Sequence, residues 1–201
     1  MGTSVFKSCA NLKSIVFETD MSLSTLPNST FEECNILESF TLPTSMKEIG
    51  EKAFYNCDGL KLLELDNVVT IGISAFNHCS NLKEINLPPS IKYLLKYAFY
   101  NCQKVEKMTI NSDEAPEVGE SPFSTQLYET AILYVKDVSK YNDQIIWNEF
   151  KKTYPINPQE LPAEELGITL SPETYTYDGT AKKPEVTVKW EKEGQEPLTI
   201  D

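Results

Sequence analysis

The five cysteines of this chain fall at positions 9, 34, 57, 79 and 102, so the steps between them are 25, 23, 22 and 23 residues. A disulfide framework or a zinc site seldom spaces single cysteines so evenly. Internal repetition does. The neighbours of each cysteine repeat with it. A phenylalanine stands three residues before, at Phe6, Phe31, Phe54, Phe76 and Phe99. An apolar residue stands three after, at Leu12, Leu37, Leu60, Leu82 and Val105. Ile15, Phe40, Leu63, Ile85 and Met108 come three further on, and Phe17, Leu42, Leu65, Leu87 and Ile110 two beyond those. Upstream, Leu26, Ile49, Ile71 and Leu94 precede four of the phenylalanines by five residues, and Leu23, Met46, Val68 and Ile91 by eight.

These spacings convert to structure. Apolar residues two apart, as in Ile85-Asn86-Leu87, read as a short strand with one inward face. Pro43 and the pair Pro88-Pro89 end such strands and turn the chain. Apolar residues three apart, as in Ala53-Phe54…Cys57…Leu60, predict a short helical or 3₁₀ turn. One coil is therefore strand, turn, second extended piece and helical turn. A single coil cannot bury its own apolar side, so neighbours must stack. Their strands then form a parallel sheet with roughly 4.8 Å between coils. The expected fold is an α/β repeat, a right-handed solenoid with a parallel sheet and short helical turns.

The run Ile49-Gly50-Glu51-Lys52-Ala53-Phe54-Tyr55-Asn56-Cys57-Asp58-Gly59-Leu60, and Ala75-Phe76…Cys79-Ser80-Asn81-Leu82-Lys83-Glu84-Ile85-Asn86-Leu87-Pro88, resemble the leucine-rich repeat of the BspA-like class of bacterial surface proteins. The likeness spans about residues 5–155. It implies a non-enzymatic, extracellular or cell-surface protein that adheres to host matrix proteins, host cells or other bacteria. The first coil lacks its upstream half, which predicts that Met1 begins a trimmed chain or fragment.

The expected division places the solenoid at 1–155, with about five repeats of 22–25 residues and a C-terminal cap at 121–155. In the cap a sixth copy begins at Phe123 and decays. Gln126 replaces the cysteine, while Ile132 and Tyr134 hold the strand positions. Tyr141, Ile145, Ile146 and Phe150 then lie near helical spacing. A solenoid needs such a cover, because an open coil exposes a row of unpaired backbone groups. Residues 156–165 read as a linker, with Pro155, Pro158 and Pro162 among acidic residues. Residues 166–201 change character. Ile168-Thr169-Leu170, Thr174-Tyr175-Thr176-Tyr177 and Val186-Thr187-Val188-Lys189-Trp190 alternate like strands, and Asp178-Gly179 supplies a turn. The run Tyr175 to Pro184 resembles the start of a bacterial immunoglobulin-like module. The 36 residues available are far fewer than the roughly 100 of a full sandwich, so the expected segment is truncated, with the natural chain continuing past Asp201.

Several residues tempt a chemical reading. Cys9, Cys34, Cys57, Cys79 and Cys102 would form a single file about 4.8 Å apart. That separation permits a disulfide between neighbours. A tetrahedral metal site would need four ligands converging on one point. The simpler expectation is a structural ladder of small buried thiols. His78, the one histidine, stands where other repeats carry Ser8, Glu33, Asn56 and Asn101, which are polar turn positions. Asp113, Glu114, Glu117 and Glu120 could offer oxygen to calcium, but without the spacing of an EF-hand they read as a solvated loop. Neither a cofactor nor a metal is expected. No Gly-rich phosphate loop, HExxH or GxSxG is present.

The candidate ligand face is the outward side of the strands. Its middle column is Val16, Thr41, Glu64, Asn86 and Thr109; its flanking column is Ser14, Ser39, Leu62, Glu84 and Lys107. The composition suits a protein or a glycan and names neither. Tyr55, Tyr93, Tyr97 and Tyr100 lie near turns, and an aromatic shelf there would favour a glycan. A purely structural spacer is the third alternative. Charge narrows the partners further. The chain carries 18 lysines, no arginine and 30 acids, for a net −12. That argues against nucleic acid, which is met by a basic face and bidentate arginines. The acidity is uneven: residues 1–110 hold 10 lysines and 12 acids, net −2, so it says little about the strand face. No run approaches the roughly 18 apolar residues of a membrane span, so no direct membrane insertion is expected of this segment.

Overall fold

A computed structural model describes residues 2–18, 21–142 and 144–156, and the backbone of strands at 166–171, 185–190 and 198–200. The chain divides into two units, Met1–Ile156 and Asn157–Asp201.

The first unit is a parallel-sheet solenoid. Each of five coils supplies two strands: β1 (Ser14–Val16) and β2 (Thr25–Leu26), β3 (Ser39–Thr41) and β4 (Glu48–Ile49), β5 (Leu62–Glu64) and β6 (Thr70–Ile71), β7 (Glu84–Leu87) and β8 (Tyr93–Leu94), β9 (Lys107–Ile110) and β10 (Glu117–Val118). The shorter strands stack without interruption in the order β10-β8-β6-β4-β2. The longer ones form the front sheet, in register as the repeat predicts: Ile85 lies beside Leu63 and Met108. This front sheet is broken once. β1 pairs with β3, and a separate sheet begins at β5.

Between the phenylalanine and the next strand the coils are not helical, contrary to expectation. They are hydrogen-bonded turns in which residues two before and two after each phenylalanine take positive φ. Ser29 (55°) and Glu33 (63°) flank Phe31; Lys52 (54°) and Asn56 (58°) flank Phe54; Ser74 (54°) and His78 (62°) flank Phe76. Alternating hand turns every second N–H outward along the stack. Phe31 N–H donates to Ala53 O at 2.7 Å, Phe54 to Ala75 at 2.8 Å and Phe76 to Ala98 at 2.9 Å. A helix would direct those donors back into its own turn. Each left-handed non-glycine residue costs roughly 1–2 kcal/mol, which the bonds between coils offset. Gly50 and Gly72 serve the same close stacking: a Cβ there would lie 2.5 Å from Leu26 O and 2.6 Å from Ile49 O.

Two columns fill the interior beneath this turn. The phenylalanine rings stack nearly parallel, at 5.4 Å (Phe6–Phe31), 5.2 Å (Phe31–Phe54), 5.1 Å (Phe54–Phe76) and 5.4 Å (Phe76–Phe99). The spacing is slightly wider than the roughly 4.8 Å between stacked strands, so the ring column climbs one ring per coil with the sheets. Facing them are the strand residues Leu63, Ile85, Met108 and Leu133, each buried. Burying one such side chain is worth about 1.5–3 kcal/mol.

The sixth coil departs from the template. At Thr125, where a left-handed residue would stand, the chain enters α1 (Thr125–Thr130). β11 (Ile132–Val135) follows, then α2 (Ser139–Asn142), α3 (Ile145–Asn148) and β12 (Lys152–Pro155). The strand positions shift by one residue. Leu133 and Val135 point inward beside Met108 and Ile110, and Ile132 and Tyr134 do not hold the inward places expected of them. The helix has consumed an odd residue, and a one-residue slip exchanges the faces of a strand. The break between α2 and α3 likewise changes which apolar residues face in. Ile145 is 84% exposed, while Tyr141, Trp147 and Phe150 are buried. Pro155 belongs to β12 rather than to the linker. It sits on an edge strand, where a missing N–H is tolerated.

In the second unit, β13 (Leu166–Ser171), β14 (Glu185–Trp190) and β15 (Leu198–Ile200) form an antiparallel sheet in that order. β13 and β14 cover two of the expected strands. The expected strand at 174–177, the Asp178-Gly179 turn and the linker 157–165 lie outside the described residues.

Candidate functional site

The outward columns assemble as the repeat predicts, in two pieces. Ser14 lies beside Ser39 and Val16 beside Thr41. Leu62, Glu84 and Lys107 form one row, and Glu64, Asn86 and Thr109 the next. The sheet break separates the pieces. Val16 is 77% and Leu62 47% exposed, and Thr109 alone among the ten is partly covered. The slip after α1 extends the middle column to Tyr134, which lies beside Thr109. Lys107 Nζ stands 5.5 Å from the Tyr134 ring, a cation–π distance. Sequence reasoning missed this tyrosine because the template placed it inside. On the same face Asn111 Nδ2 donates to Asn86 Oδ1 at 2.8 Å and to Leu87 O at 2.9 Å.

The cysteines face the other way. All five are free thiols; Cys34, Cys57, Cys79 and Cys102 are buried and Cys9 is partly exposed. Each buried thiol donates to the phenylalanine carbonyl of the preceding coil: Cys34 to Phe6 and Cys57 to Phe31 at 3.1 Å, Cys79 to Phe54 and Cys102 to Phe76 at 3.2 Å. Three of those carbonyls also accept the cysteine N–H of their own coil, Phe6 from Cys9, Phe31 from Cys34 and Phe76 from Cys79, so the thiol is their second donor. Burial pushes the thiols of Cys57 and Cys79 up, and that of Cys102 to about 12. A nucleophilic or metal-binding cysteine needs the opposite shift, towards thiolate.

The other titratable candidates are engaged or scattered. His78 is an exposed turn residue whose Nε2 lies 3.1 Å from Asn101 Nδ2. The acidic run is divided among lysines of neighbouring coils: Asp113 with Lys136 at 2.8 Å, Glu114 with Lys140 at 2.5 Å, Glu120 with Lys96 at 2.6 Å. Among the described residues no three His, Cys, Asp or Glu side chains converge as metal ligands. None of their helices is long and apolar enough to cross a membrane.

A family model described as the BspA-type leucine-rich repeat region matches residues 1–148, in six copies. The chain belongs to the BspA-type leucine-rich repeat family. Proteins of this family are typically bacterial surface proteins, and its repeats serve generally as binding scaffolds rather than catalysts. The sixth copy is the one that decays after Phe123. Similar solved structures include a leucine-rich repeat protein of T. pallidum, at 20% identity over 58% of this chain and 64% of that one, with TM-score 0.48. Another, from Bacteroides ovatus, shows 22% identity over 67% and 42%, with TM-score 0.46. A leucine-rich cell surface protein of Faecalibacterium prausnitzii shows 17% identity over 68% and 44%, with TM-score 0.43. The chain thus spans less than two thirds of the length of each. No curated protein matches it.

Proposed function

We propose that this chain is a non-enzymatic part of a bacterial cell-surface or secreted protein, and that it adheres to host or bacterial surface proteins through the outward face of the front sheet. One observation carries the reading. The repeat ties its cysteines and phenylalanines into coil stacking, and leaves columns such as Ser39-Thr41 and Glu84-Asn86 exposed and in register. A partner meets a regular array of weak contacts, multiplied by the number of copies on a cell. The same reading takes the segment after the solenoid, where the run Tyr175 to Pro184 resembles the start of an immunoglobulin-like module, as a stalk.

The test is capture of host matrix proteins and bacterial surfaces on the immobilised full chain. The double variant Glu84→Lys/Thr109→Lys should lower capture about tenfold, which is ~1.4 kcal/mol, with unchanged melting temperature. Capture that survives would favour the spacer reading instead. A glycan partner is the second reading, favoured by Tyr97 and Tyr100, whose ring centres lie 5.2 Å apart with Lys96 Nζ 4.8 Å from the Tyr97 ring. A glycan array separates the two. Tyr97→Asn, which tolerates the positive φ of that position, should abolish any signal owed to this pair.

A further inference from the structure

We propose that the break between β3 and β5 is a slot for one lysine side chain presented by a protein partner. This rests on the protein-binding reading above and adds a specificity to it. At the inward place held by Ile15, Leu63, Ile85 and Met108, coil two carries Phe40. The larger ring stacks on Phe54 of its own coil at 4.4 Å, and the front sheet loses its pairing between this coil and the next. The second sheet runs unbroken across the same two coils, with Glu48 beside Thr70. The result is a cavity of about 70 Å³ opening on the front face.

Its chemistry is two-part. Phe40, Leu42, Met46 and Val68 offer an apolar floor, and Glu64 and Asp66 stand at the rim. Among the described residues neither carboxylate is paired with a lysine, unlike Asp113, Glu114 and Glu120. Lys47 donates to the backbone carbonyl of Asn67, beside Asp66, at 3.4 Å. The same two carboxylates border a second cavity of about 320 Å³ that continues to Asn86 and Asn111, wide enough for the backbone that would carry the inserted side chain.

The geometry decides between a side chain and a strand. An added strand would force the coils apart to roughly twice the 4.8 Å spacing. The Phe54 and Phe76 rings, 5.1 Å apart across this step, hold the coils at single spacing. A long apolar stem ending in one compact charge matches the slot, and that is lysine rather than the planar fork of arginine.

The experiment titrates the full chain with the blocked tripeptides acetyl-Gly-Lys-Gly-amide, its norleucine analogue and its arginine analogue, following the backbone amides of residues 40–46 and 64–68 by NMR. The lysine peptide should saturate those shifts, and norleucine should bind about tenfold more weakly or worse. Glu64→Gln/Asp66→Asn should cost a similar factor without changing the fold. Phe40→Leu, which restores the residue type of the other coils, should close the slot and abolish binding. Equal binding of lysine and norleucine, arginine binding as tightly as lysine, or lysine binding undiminished in Glu64→Gln/Asp66→Asn would each overturn the proposal. The variant Glu84→Lys/Thr109→Lys separates this claim from the wider one. Protein capture by the native chain with no tripeptide binding sinks the slot alone. Tripeptide binding with no protein capture sinks the surface reading alone.

Discussion

At the first coil, Phe6 stacks on a single ring and stays partly exposed, as do Cys9, Leu12 and Ile15 beside it. At the last, Phe123 stacks on Phe99 at 6.1 Å and meets Tyr128, Trp147 and Phe150 at 5.6–5.7 Å, which leaves it 2% exposed. The ladder chemistry is the same at both ends. What changes at the last coil is the run of residues after the phenylalanine. Ser8 keeps the left-handed turn, whose N–H bonds reach the next coil. Thr125 starts a helix that closes its own bonds, and the chain behind it supplies an aromatic lid. At this cap the solenoid closes by leaving the alternating turn, while the phenylalanine column continues to Phe123.

That contrast can be broken by substitution. The largest effect is expected for Trp147→Ala. Its indole is buried, and its Nε1 donates to Pro116 O at 3.2 Å. Loss of a buried aromatic costs about 3–5 kcal/mol. Phe6→Ala in the same chain should cost about half as much, since its ring is only partly removed from water. Urea unfolding of both variants checks the ratio, and equal costs would mean that the lid adds nothing. Next comes pH. Burial raises Cys102 from its ordinary 9.0 to about 12. The folded chain keeps that proton where the unfolded chain releases it. Stability contributed there is intact below pH 9 and falls as pH rises towards 12, by about 1.4 kcal/mol per unit for each such thiol. Cys102→Ala should flatten that fall, as read by chemical denaturation at stepped pH. The smallest effect belongs to the outward face. Val16→Thr should shift stability by no more than about 0.5 kcal/mol, as for other exposed positions.

The two ends also divide what a sequence reader could foresee. The inward pairs, such as Ile85 with Leu87, were legible because a strand's period of two and a coil's period of about 23 agree. So were the outward columns, which are the residues between those pairs. The left-handed turns were hidden. Ser8, Glu33, Asn56 and His78 all stand two residues after the phenylalanine, and what unites them is a bond to the next coil rather than a residue type. Proximity in sequence also misled at the cap. Ile145 fits helical spacing with Tyr141, but the break before α3 turns it outward and brings Trp147 in. The phase slip that puts Tyr134 on the face follows from helix α1, whose length no pattern announces. Phe40 looked like any apolar member of its column. What sets it apart is ring size: it stacks on Phe54 at 4.4 Å, where the neighbouring coils carry aliphatic side chains in that column.

The central claim is that the repeated chemistry is structural and leaves the outward face for binding. Counting reactive thiols in the native chain with an aromatic disulfide reagent tests it most directly. The account predicts that Cys9 reacts at once, and that Cys34, Cys57, Cys79 and Cys102 react only as fast as the chain unfolds, all of them rapidly in denaturant. Rapid native reaction of any of those four, or fewer than five thiols after unfolding without reductant, would contradict it.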